Sequence, residues 1–224
     1  MKNYSLYLLL LVFVISCSKT DEDVQDLGYN YLPLETGNFI IYTVTETTYD
    51  DFNDTVLTEV YLLKETIGSS FLDLEGRTSY KLNRYTKPDF DTVEVWKFKD
   101  FWTVYKGSSH AERTEENVTF VNLTFPLRLG KIWDGNARND SVSQDYTVLN
   151  YDFRMKIGDA TFNRTTRINQ FENTNLIEEQ LAEDIYAEHV GLVQRINRDI
   201  TIDPSDSTLG GFEFSWVYNE HGKE

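Results

Sequence analysis

The sequence is poor in the residues that form disulfides, zinc sites and nucleic-acid interfaces. It contains one cysteine, Cys17, so no disulfide can form within the chain. Its three histidines are scattered without the spacing of metal ligands, whereas a zinc site needs three or four ligands brought together. Only 21 basic residues face 37 acidic ones, which gives a formal net charge of −16. Because no basic cluster offsets this balance, nucleic acid is not an expected partner.

The sequence also lacks the short motifs that mark the common enzyme classes. It has no Gly-x-Ser-x-Gly elbow, no phosphate-binding loop and no dinucleotide fingerprint. The oxygen-rich stretch from Asp50 to Asp54 lacks the residue order of an EF-hand and its terminal glutamate, so a solvated hairpin tip is the better interpretation. We therefore expect no cofactor, no metal and no recognisable catalytic residue.

An apolar run of ten residues, Leu6 to Ile15, follows the single cation Lys2. A membrane-spanning helix needs about 20 apolar residues, so this run is too short to span and is typical of a secretory signal. It is followed by Ser16 and Cys17, and this junction resembles the lipobox of bacterial lipoproteins. The resemblance implies cleavage before Cys17, diacylation of its sulfur and acylation, for example with palmitate, of the new amino terminus. An ordinary signal peptide with a chance cysteine is the alternative.

The residues after the cysteine indicate where in the cell envelope the protein is located. Ser18 to Asp23 places one lysine and then an acidic cluster beside the lipid. This stretch resembles the export signal of Bacteroidota lipoproteins that reach the outer face of the outer membrane, and its composition also favours a flexible tether. We predict a lipoprotein signal peptide over residues 1–16 and a lipidated tether over 17–30. The predicted location is the outer membrane, at the cell surface, with the periplasmic face as the alternative.

Residues 31–224 predict a single β-rich domain. Runs rich in β-branched and aromatic residues are separated by turn residues at strand-like intervals, without a helical period. From Thr147 to Ile157 two sets of residues alternate, which is typical of a strand with one buried and one solvated face. Phe212 to Tyr218 alternates similarly, with aromatic residues on one face. The expected fold is all-β and antiparallel: a strongly curved sheet, sandwich or open barrel with at most one or two short helices.

One motif occurs twice in this domain. Pro-Leu-x-x-Gly begins at Pro33 and again at Pro126, in each case before a predicted strand. A proline followed by a glycine gives a stiff turn and then a flexible corner. The domain is therefore either two similar halves, about 31–123 and 124–224, or one unit in which two short turns coincide.

The second half carries further short motifs. They are the phrase Tyr-Ala-x-x-Val-Gly-Leu-Val from Tyr186 to Val193, and a strand that starts with Tyr-Thr-Val at Tyr146. Together with Pro-Leu-x-x-Gly, these motifs resemble those of uncharacterised β-rich outer-membrane lipoproteins of the Bacteroidota type. The resemblance implies an all-β fold with a kinked strand pair at the phrase, and no activity, because the family has none assigned. Leu176 to Glu183 stays undecided between helix and strand, since apolar residues four apart favour a helix.

The four tryptophans suggest a binding hypothesis. Surface glycan-binding proteins stack sugars on exposed aromatic rings, so Trp96, Trp102 and Trp216 are candidate ligand-binding residues. Trp96 and Trp102 would lie on adjacent strands of a hairpin predicted around Lys99 and Asp100, within reach of each other. Aromatic residues also dominate the cores of β proteins, so core packing is the alternative for each ring.

Four Asp-Thr or Asp-Ser steps resemble the short acceptor pattern for O-glycosylation in Bacteroidota. The candidate acceptors are Thr55, Thr92, Ser141 and Ser207. The alternative is that each aspartate ends a turn before a strand, because such a turn has the same Asp-Thr or Asp-Ser sequence.

Two classes of function, with a third behind them, are compatible with these observations. The first is a lipid-anchored binding or scaffolding module of the cell envelope, which meets the membrane through its lipid and a glycan or envelope protein as partner. The alternative is a carrier that holds an apolar ligand in a cavity of its curved sheet. A glycoside hydrolase comes third, because it needs only two suitably spaced carboxylates and 37 acidic residues nominate no pair. A dry internal cavity would favour the carrier. A flat, exposed aromatic patch would favour the binding module.

Overall fold

The computed structural model of the protein describes residues 26–88, 95–205 and 209–224, which form one twelve-stranded sheet and a short 3-10 turn, Tyr29–Tyr31. The strands are β1 (Asn38–Asp50), β2 (Thr55–Leu72), β3 (Thr78–Pro88), β4 (Lys97–Lys106), β5 (His110–Glu115), β6 (Val118–Thr124), β7 (Ile132–Asp134), β8 (Asp145–Ile157), β9 (Ala160–Thr174), β10 (Glu178–Ala187), β11 (Gly191–Ile202) and β12 (Leu209–Lys223). The predicted signal peptide, Cys17 and most of the predicted tether lie outside the described residues. In the described part of the chain, no helix has the length and apolar character needed to cross a bilayer.

Every strand pairs antiparallel with its neighbours, in the order β6-β5-β4-β3-β2-β1-β12-β11-β10-β9-β8-β7. The chain thus forms two meanders that join where β1 pairs with β12. The outer strands β6 and β7 approach each other, since the Val121 amide donates to the Gly135 carbonyl at 2.8 Å and the Trp133 indole donates to the Val121 carbonyl at 2.7 Å. The sheet is nearly closed into a barrel. The prediction of an all-β, antiparallel, strongly curved sheet is confirmed.

The core lies inside the curved sheet, and the strand register explains which side chains reach it. Val44 of β1 is the cross-strand partner of Trp216 in β12, which lies opposite Arg195 of β11. Arg195 lies opposite Asp184 of β10, which lies opposite Ile168 of β9. Cross-strand partners point to the same face, and all members of this row are buried. The interior is therefore apolar with charged side chains built into it.

The undecided segment, Leu176 to Glu183, is extended over nearly all of its length. β10 begins at Glu178 and pairs with β9 on one side and β11 on the other. Hydrogen bonding to two neighbouring strands outweighs the helical spacing of the apolar residues, which is only a local preference.

The hairpin predicted around Asp100 is wrong, because β4 continues through this residue. β4 spans Lys97–Lys106 and pairs with β3 on both sides of Asp100. Arg84 Nη1 of β3 donates to the Asp100 carboxylate at 3.1 and 3.2 Å, which stabilises the polar residue within the strand. Trp96 therefore lies just before the strand that contains Trp102, and the two rings are not cross-strand partners.

The two Pro-Leu-x-x-Gly motifs occupy comparable places in the sheet. Gly37 ends the first copy directly before β1, and Gly130 ends the second copy shortly before β7. Both glycines have a left-handed backbone, with φ of 90° and 73°, which glycine adopts readily. β1 and β7 are the first strands of the two meanders. The interpretation as two similar halves stays a prediction.

The N-terminal segment, residues 29–34, packs across one end of the sheet. The His189 amide, in the turn between β10 and β11, donates to the Asn30 carbonyl at 2.7 Å. The Tyr29 ring lies edge-on to Phe125, with ring centroids 4.7 Å apart. These contacts hold the segment beside the β10–β11 turn, where both border an internal cavity.

Candidate functional site

A cavity of about 310 Å³ lies at this end of the sheet. It is bordered by residues of strands β1 to β6 and β12, by β10, β11 and the turn between them, and by the N-terminal segment. Its volume is at the lower end of the range of roughly 300–1,000 Å³ in which small-molecule sites usually fall. Three lining residues, His189, His221 and Lys223, are exposed and mark the side at which the cavity meets solvent.

The walls of the cavity are mainly apolar. Leu82 of β3, Val104 of β4, Ala111 of β5 and Leu192 of β11 line it and are buried. The small side chain of Ala111 leaves space that a larger residue would fill. Because these side chains form no hydrogen bonds, they would hold an apolar group by burial, at about 25 cal/mol per Å² of apolar surface.

Two tyrosines that line the cavity already use their hydroxyl groups. The Tyr42 hydroxyl donates to the Leu192 carbonyl at 2.9 Å, and the Tyr186 hydroxyl donates to the Asp184 carboxylate at 3.2 Å. Burial raises the pKa of Tyr42 and of Tyr186 well above the usual value, because desolvation disfavours the phenolate. Both tyrosines therefore contribute neutral rings to the wall.

Among the polar residues that line the cavity, Glu65, Glu112, Arg113 and Asn122 are buried, and we call the part of the lining that contains Glu65, Arg113 and Asn122 its inner end. Arg113 Nη2 donates to Glu65 Oε1 at 2.6 Å, and Arg113 Nε lies 3.1 Å from Glu115 Oε1. The guanidinium charge is thus balanced by carboxylates. Asn122 is only 5% exposed, and its Oδ1 accepts no hydrogen bond from the described residues. A buried acceptor without a partner costs about 1–3 kcal/mol.

Two stacked tryptophans lie in the core next to this polar end, surrounded by arginines. The rings of Trp102 and Trp216 are 6.1 Å apart, with an interplanar angle of 24°. The Arg84 and Arg113 guanidinium groups lie 3.5 and 4.6 Å from the Trp102 ring centroid, and Arg195 lies 5.2 Å from that of Trp216. Cation–π attraction is strongest when the cation is desolvated, at about 2 kcal/mol. The rings thus contribute favourable contacts to three guanidinium groups in the interior.

Asp184 holds this cluster from strand β10. Its fully buried carboxylate accepts hydrogen bonds from Arg195 Nε at 2.8 Å, Arg195 Nη2 at 3.0 Å and Gln170 Nε2 at 3.0 Å. Arg195 Nη1 also donates to Glu115 at 2.8 and 3.0 Å. Burial alone would lower the pKa of Arg195, but Asp184 and Glu115 outweigh it and hold that pKa well above its usual value. The arginine therefore stays charged in the core.

A separate group of charges surrounds Glu112, the neighbour of Arg113 in β5. Arg77 Nη1 and Nη2 donate to the Glu112 carboxylate at 2.9 Å each, Arg138 Nε lies 3.0 Å away, and His110 Nε2 lies 2.8 Å from it. Burial would raise the pKa of Glu112, but the hydrogen bonds from Arg77 and His110 hold it below its usual value. In the described part of the chain, no three His, Cys, Asp or Glu side chains converge as metal ligands would.

The three candidate tryptophans occupy different environments. Trp102 and Trp216 are 8% and 5% exposed, so their stacked rings belong to the core. Trp96 is half-buried, and Lys87 Nζ lies 5.1 Å from its ring centroid. The structure therefore brings two of the candidates together, but inside the sheet.

The candidate modification sites are only partly described. Thr55, at the start of β2, and Ser141, in the β7–β8 loop, are exposed. Thr92, Ser207 and Cys17 lie outside the described residues. O-glycosylation and lipidation at these positions stay predictions.

Comparisons with known proteins find similar structures but no family. No protein-family model matches the chain, and no curated protein matches its sequence. Among solved structures, a Bacteroides fragilis protein described as exported and as having a YmcC-like fold is similar, with a TM-score of 0.44 and 10% identity, over 86% of this chain and 98% of that one. A Parabacteroides distasonis protein described as a lipoprotein is similar with a TM-score of 0.40 and 9% identity, over 86% and 98% of the two chains. Function is therefore inferred from the residues of this chain.

Proposed function

We propose that this chain is a lipid-anchored binding module of the cell envelope, and that its internal cavity holds a small ligand with an apolar body. The observation that carries the proposal is the cavity of about 310 Å³ with buried apolar walls. Among the functions compatible with the sequence, such a cavity favours the carrier of an apolar ligand. The exposed lining residues indicate that the ligand enters beside the N-terminal segment and the β10–β11 turn.

The size of the cavity sets the affinity to expect. Each buried methylene contributes about 0.8 kcal/mol, so a ligand with an apolar body of eight to ten carbons gains on the order of 7 kcal/mol from burial. Immobilising the ligand offsets part of this gain, and a polar contact adds to it. A micromolar Kd corresponds to about 8 kcal/mol. We therefore expect micromolar or weaker binding, as suits a carrier that must release its ligand.

The anchoring part of the proposal rests on the N-terminal sequence. The short apolar run that leads to Ser16 and Cys17 supports lipidation at Cys17. The acidic residues that follow support export to the outer membrane, at the cell surface or at its periplasmic face. Two or three acyl chains give stable attachment where one would be marginal. Attachment also raises the effective concentration of the cavity toward ligands and partners at the same membrane.

A glycan or envelope protein is a second candidate partner, favoured by the position of Trp96. This ring is half-buried, next to Lys87 and Lys64, whose Nζ atoms lie 5.1 and 6.0 Å from its centroid. If the protein is retained on a glycan, Trp96→Ala should abolish that retention, and unchanged retention would exclude this ring. The glycosidase hypothesis stays third, since the two glutamates that line the cavity, Glu65 and Glu112, are each paired with arginine.

Fluorescence titration with 1-naphthylamine, whose apolar body has ten carbons, tests whether the cavity binds an apolar ligand. The chain from residue 18 to 224 retains every described residue and carries no lipid that could compete. We expect a saturable blue shift of the probe fluorescence with one site per chain. Val104→Phe adds a ring to the cavity wall and should weaken binding at least about tenfold. Val56→Phe makes the same change at an exposed position of β2 and should leave affinity within about twofold.

Folding of each variant is checked by circular dichroism before titration. If Val104→Phe does not fold, Ala111→Val makes a smaller filling of the same cavity and should weaken binding in the same direction. Unchanged affinity in a folded cavity variant would mean that the probe binds elsewhere. An absence of saturable binding to the unsubstituted chain would contradict the proposal outright.

A further inference from the structure

The described part of the chain begins beside the open side of the cavity. Asp26, its first residue, accepts a hydrogen bond from Arg164 Nη2 at 2.6 Å, and Arg164 Nη1 donates to Glu188 at 2.6 Å. Glu188 lies in the β10–β11 turn next to His189, which lines the cavity and is exposed. Arg164 therefore ties the point where the predicted tether enters the domain to the turn at which the cavity meets solvent.

The residues that follow Asp26 soon become part of the cavity wall. Residues 32–34 line the cavity. The Lys106 ammonium holds this segment in place, since it donates to the Leu32 carbonyl at 2.5 Å and to the Tyr29 carbonyl at 3.2 Å. The chain thus leads from the predicted tether directly into the wall of the cavity.

The predicted lipid would be attached close to this wall. Cys17 precedes Asp26 by nine residues. An extended chain spans at most about 3.6 Å per residue, so the Cys17 sulfur stays within roughly 30 Å of Asp26. A ligand on such a short tether has an effective concentration of about 1 mM. For a Kd of about 10 μM, occupied cavities would then outnumber empty ones by about 100 to 1.

The cavity is large enough for part of an acyl chain. At about 30 Å³ per non-hydrogen atom, the volume per molecule in liquid water, a cavity of about 310 Å³ holds on the order of ten carbons. A bilayer buries every methylene of an acyl chain, so a membrane competes successfully with the cavity. The cavity would therefore hold the chain only where no membrane is available.

We propose that, away from a membrane, the cavity holds the end of an acyl chain attached to Cys17 of the same molecule. The end of the chain lies against Leu82, Val104 and Leu192, and the remaining carbons lead out past the β10–β11 turn to the tether. The cavity thereby shields the lipid from water before the protein reaches its membrane. This inference rests on the proposed function, because it requires both a lipid on Cys17 and a cavity that binds an apolar body.

The chain from residue 17 to 224, alkylated at Cys17, tests the inference. Cys17 is its single thiol, so a maleimide reacts there alone. N-hexadecylmaleimide attaches a chain of sixteen carbons, and N-ethylmaleimide gives a matched protein with a chain of two. We expect the hexadecyl protein to stay monomeric in analytical ultracentrifugation. It should bind 1-naphthylamine at least about tenfold more weakly than the ethyl protein, because the attached chain already fills the cavity.

Moving the attachment site distinguishes a filled cavity from a general effect of the alkyl chain. Thr55 is exposed and pairs with Asp50 at the end of β1. Asp50 is eight residues along the strand, roughly 26 Å, from Tyr42, which lines the cavity. In Cys17→Ser with Thr55→Cys, the hexadecyl and ethyl proteins should bind the probe within about twofold of each other. If this variant does not fold, Ser141→Cys replaces Thr55→Cys, since Ser141 is also exposed.

The outcomes separate this inference from the proposed function. If 1-naphthylamine does not bind to the ethyl protein, the proposed function and the inference both fail. If it binds equally well to the hexadecyl and ethyl proteins alkylated at Cys17, only the inference is overturned. An equal loss of probe binding with the chain at position 55, or self-association of the protein that carries it at Cys17, would also overturn the inference.

Discussion

Replacing the buried carboxylate of Asp184 should strongly destabilise the fold. Asp184 is fully buried and accepts hydrogen bonds from Arg195 Nε and Nη2, from Gln170 and from the Tyr186 hydroxyl, at 2.8 to 3.2 Å. In Asp184→Leu the guanidinium of Arg195 keeps Glu115 as its partner, but it loses two of its hydrogen bonds at a buried position. Removing one member of a buried ion pair typically costs about 3–5 kcal/mol. We expect a loss in that range for the free energy of unfolding.

The double variant separates the charge from the packing. Asp184→Leu with Arg195→Met replaces both members of the pair by apolar side chains, and removing a whole buried pair in this way is often close to neutral. Because Tyr186 and Gln170 still lose an acceptor, we expect a cost of about 1–2 kcal/mol for these groups. The double variant should therefore be more stable than Asp184→Leu alone by about 2 kcal/mol.

Urea unfolding followed by circular dichroism measures these differences, with unchanged m values as the sign that the unfolded state is not altered. Glu213→Leu is the control, since Glu213 of β12 pairs with Arg198 of β11 at 2.9 Å, but both side chains are about one-third exposed. An exposed pair of this kind contributes about 0–1 kcal/mol. A cost below 1 kcal/mol for Asp184→Leu, or a double variant that loses the sum of its single variants, would refute the reasoning.

Three further predictions follow from single residues. The folded-state pKa of Glu112 lies below its ordinary value of 4.5. The stabilisation from its ion pairs is therefore present above pH 4.5 and is lost as the pH falls through the folded-state pKa. In urea unfolding at a series of pH values, the free energy of unfolding should fall less steeply with acid in Glu112→Gln than in the unsubstituted chain. Gly211 has φ of 109°, and an added Cβ would lie 2.1 Å from the Asp199 carbonyl oxygen, so Gly211→Ala should cost at least about 1–3 kcal/mol in urea unfolding, and a loss below 0.5 kcal/mol would contradict this. Cys17→Ala should abolish acyl labelling and membrane fractionation in the native host, and unchanged labelling would end the lipoprotein interpretation.

The fold class could be predicted from the sequence because strand patterns are local. Extended aromatic and β-branched runs gave the β assignment, and Phe214 and Trp216 of the last alternating run do contribute to the core. The faces were less predictable. In β8, Val148 is buried while Leu149 is 39% exposed, so the apolar face predicted by alternation does not hold there. Irregular pairing with β9 shifts the register repeatedly along β8, and a shift of one residue exchanges the two faces of a strand.

The candidate site could not be predicted, because its parts are distant in sequence. Glu65, Arg113 and Asn122 look like ordinary polar positions of surface strands, and nothing local marks them as inward-facing. Their burial depends on the near closure of the sheet, where β6 meets β7, and on the bulge at Asn122 in β6. No short sequence motif predicts this bulge. For Trp102 and Trp216, the sequence predicted either ligand binding or core packing. Their stacking inside the sheet could not be predicted, because it follows from the register of strands far apart in the chain.

Intermolecular nuclear Overhauser effects between decan-1-ol and the methyl groups of the protein test the central claim most directly, because they report where a bound apolar body lies. In the chain from residue 18 to 224 with labelled leucine and valine methyls, the account predicts contacts from the alkyl chain to Leu82, Val104 and Leu192, which line the cavity. Val104→Phe should remove these contacts. Contacts confined to exposed methyls of the outer surface, such as those of Leu57, would contradict the account.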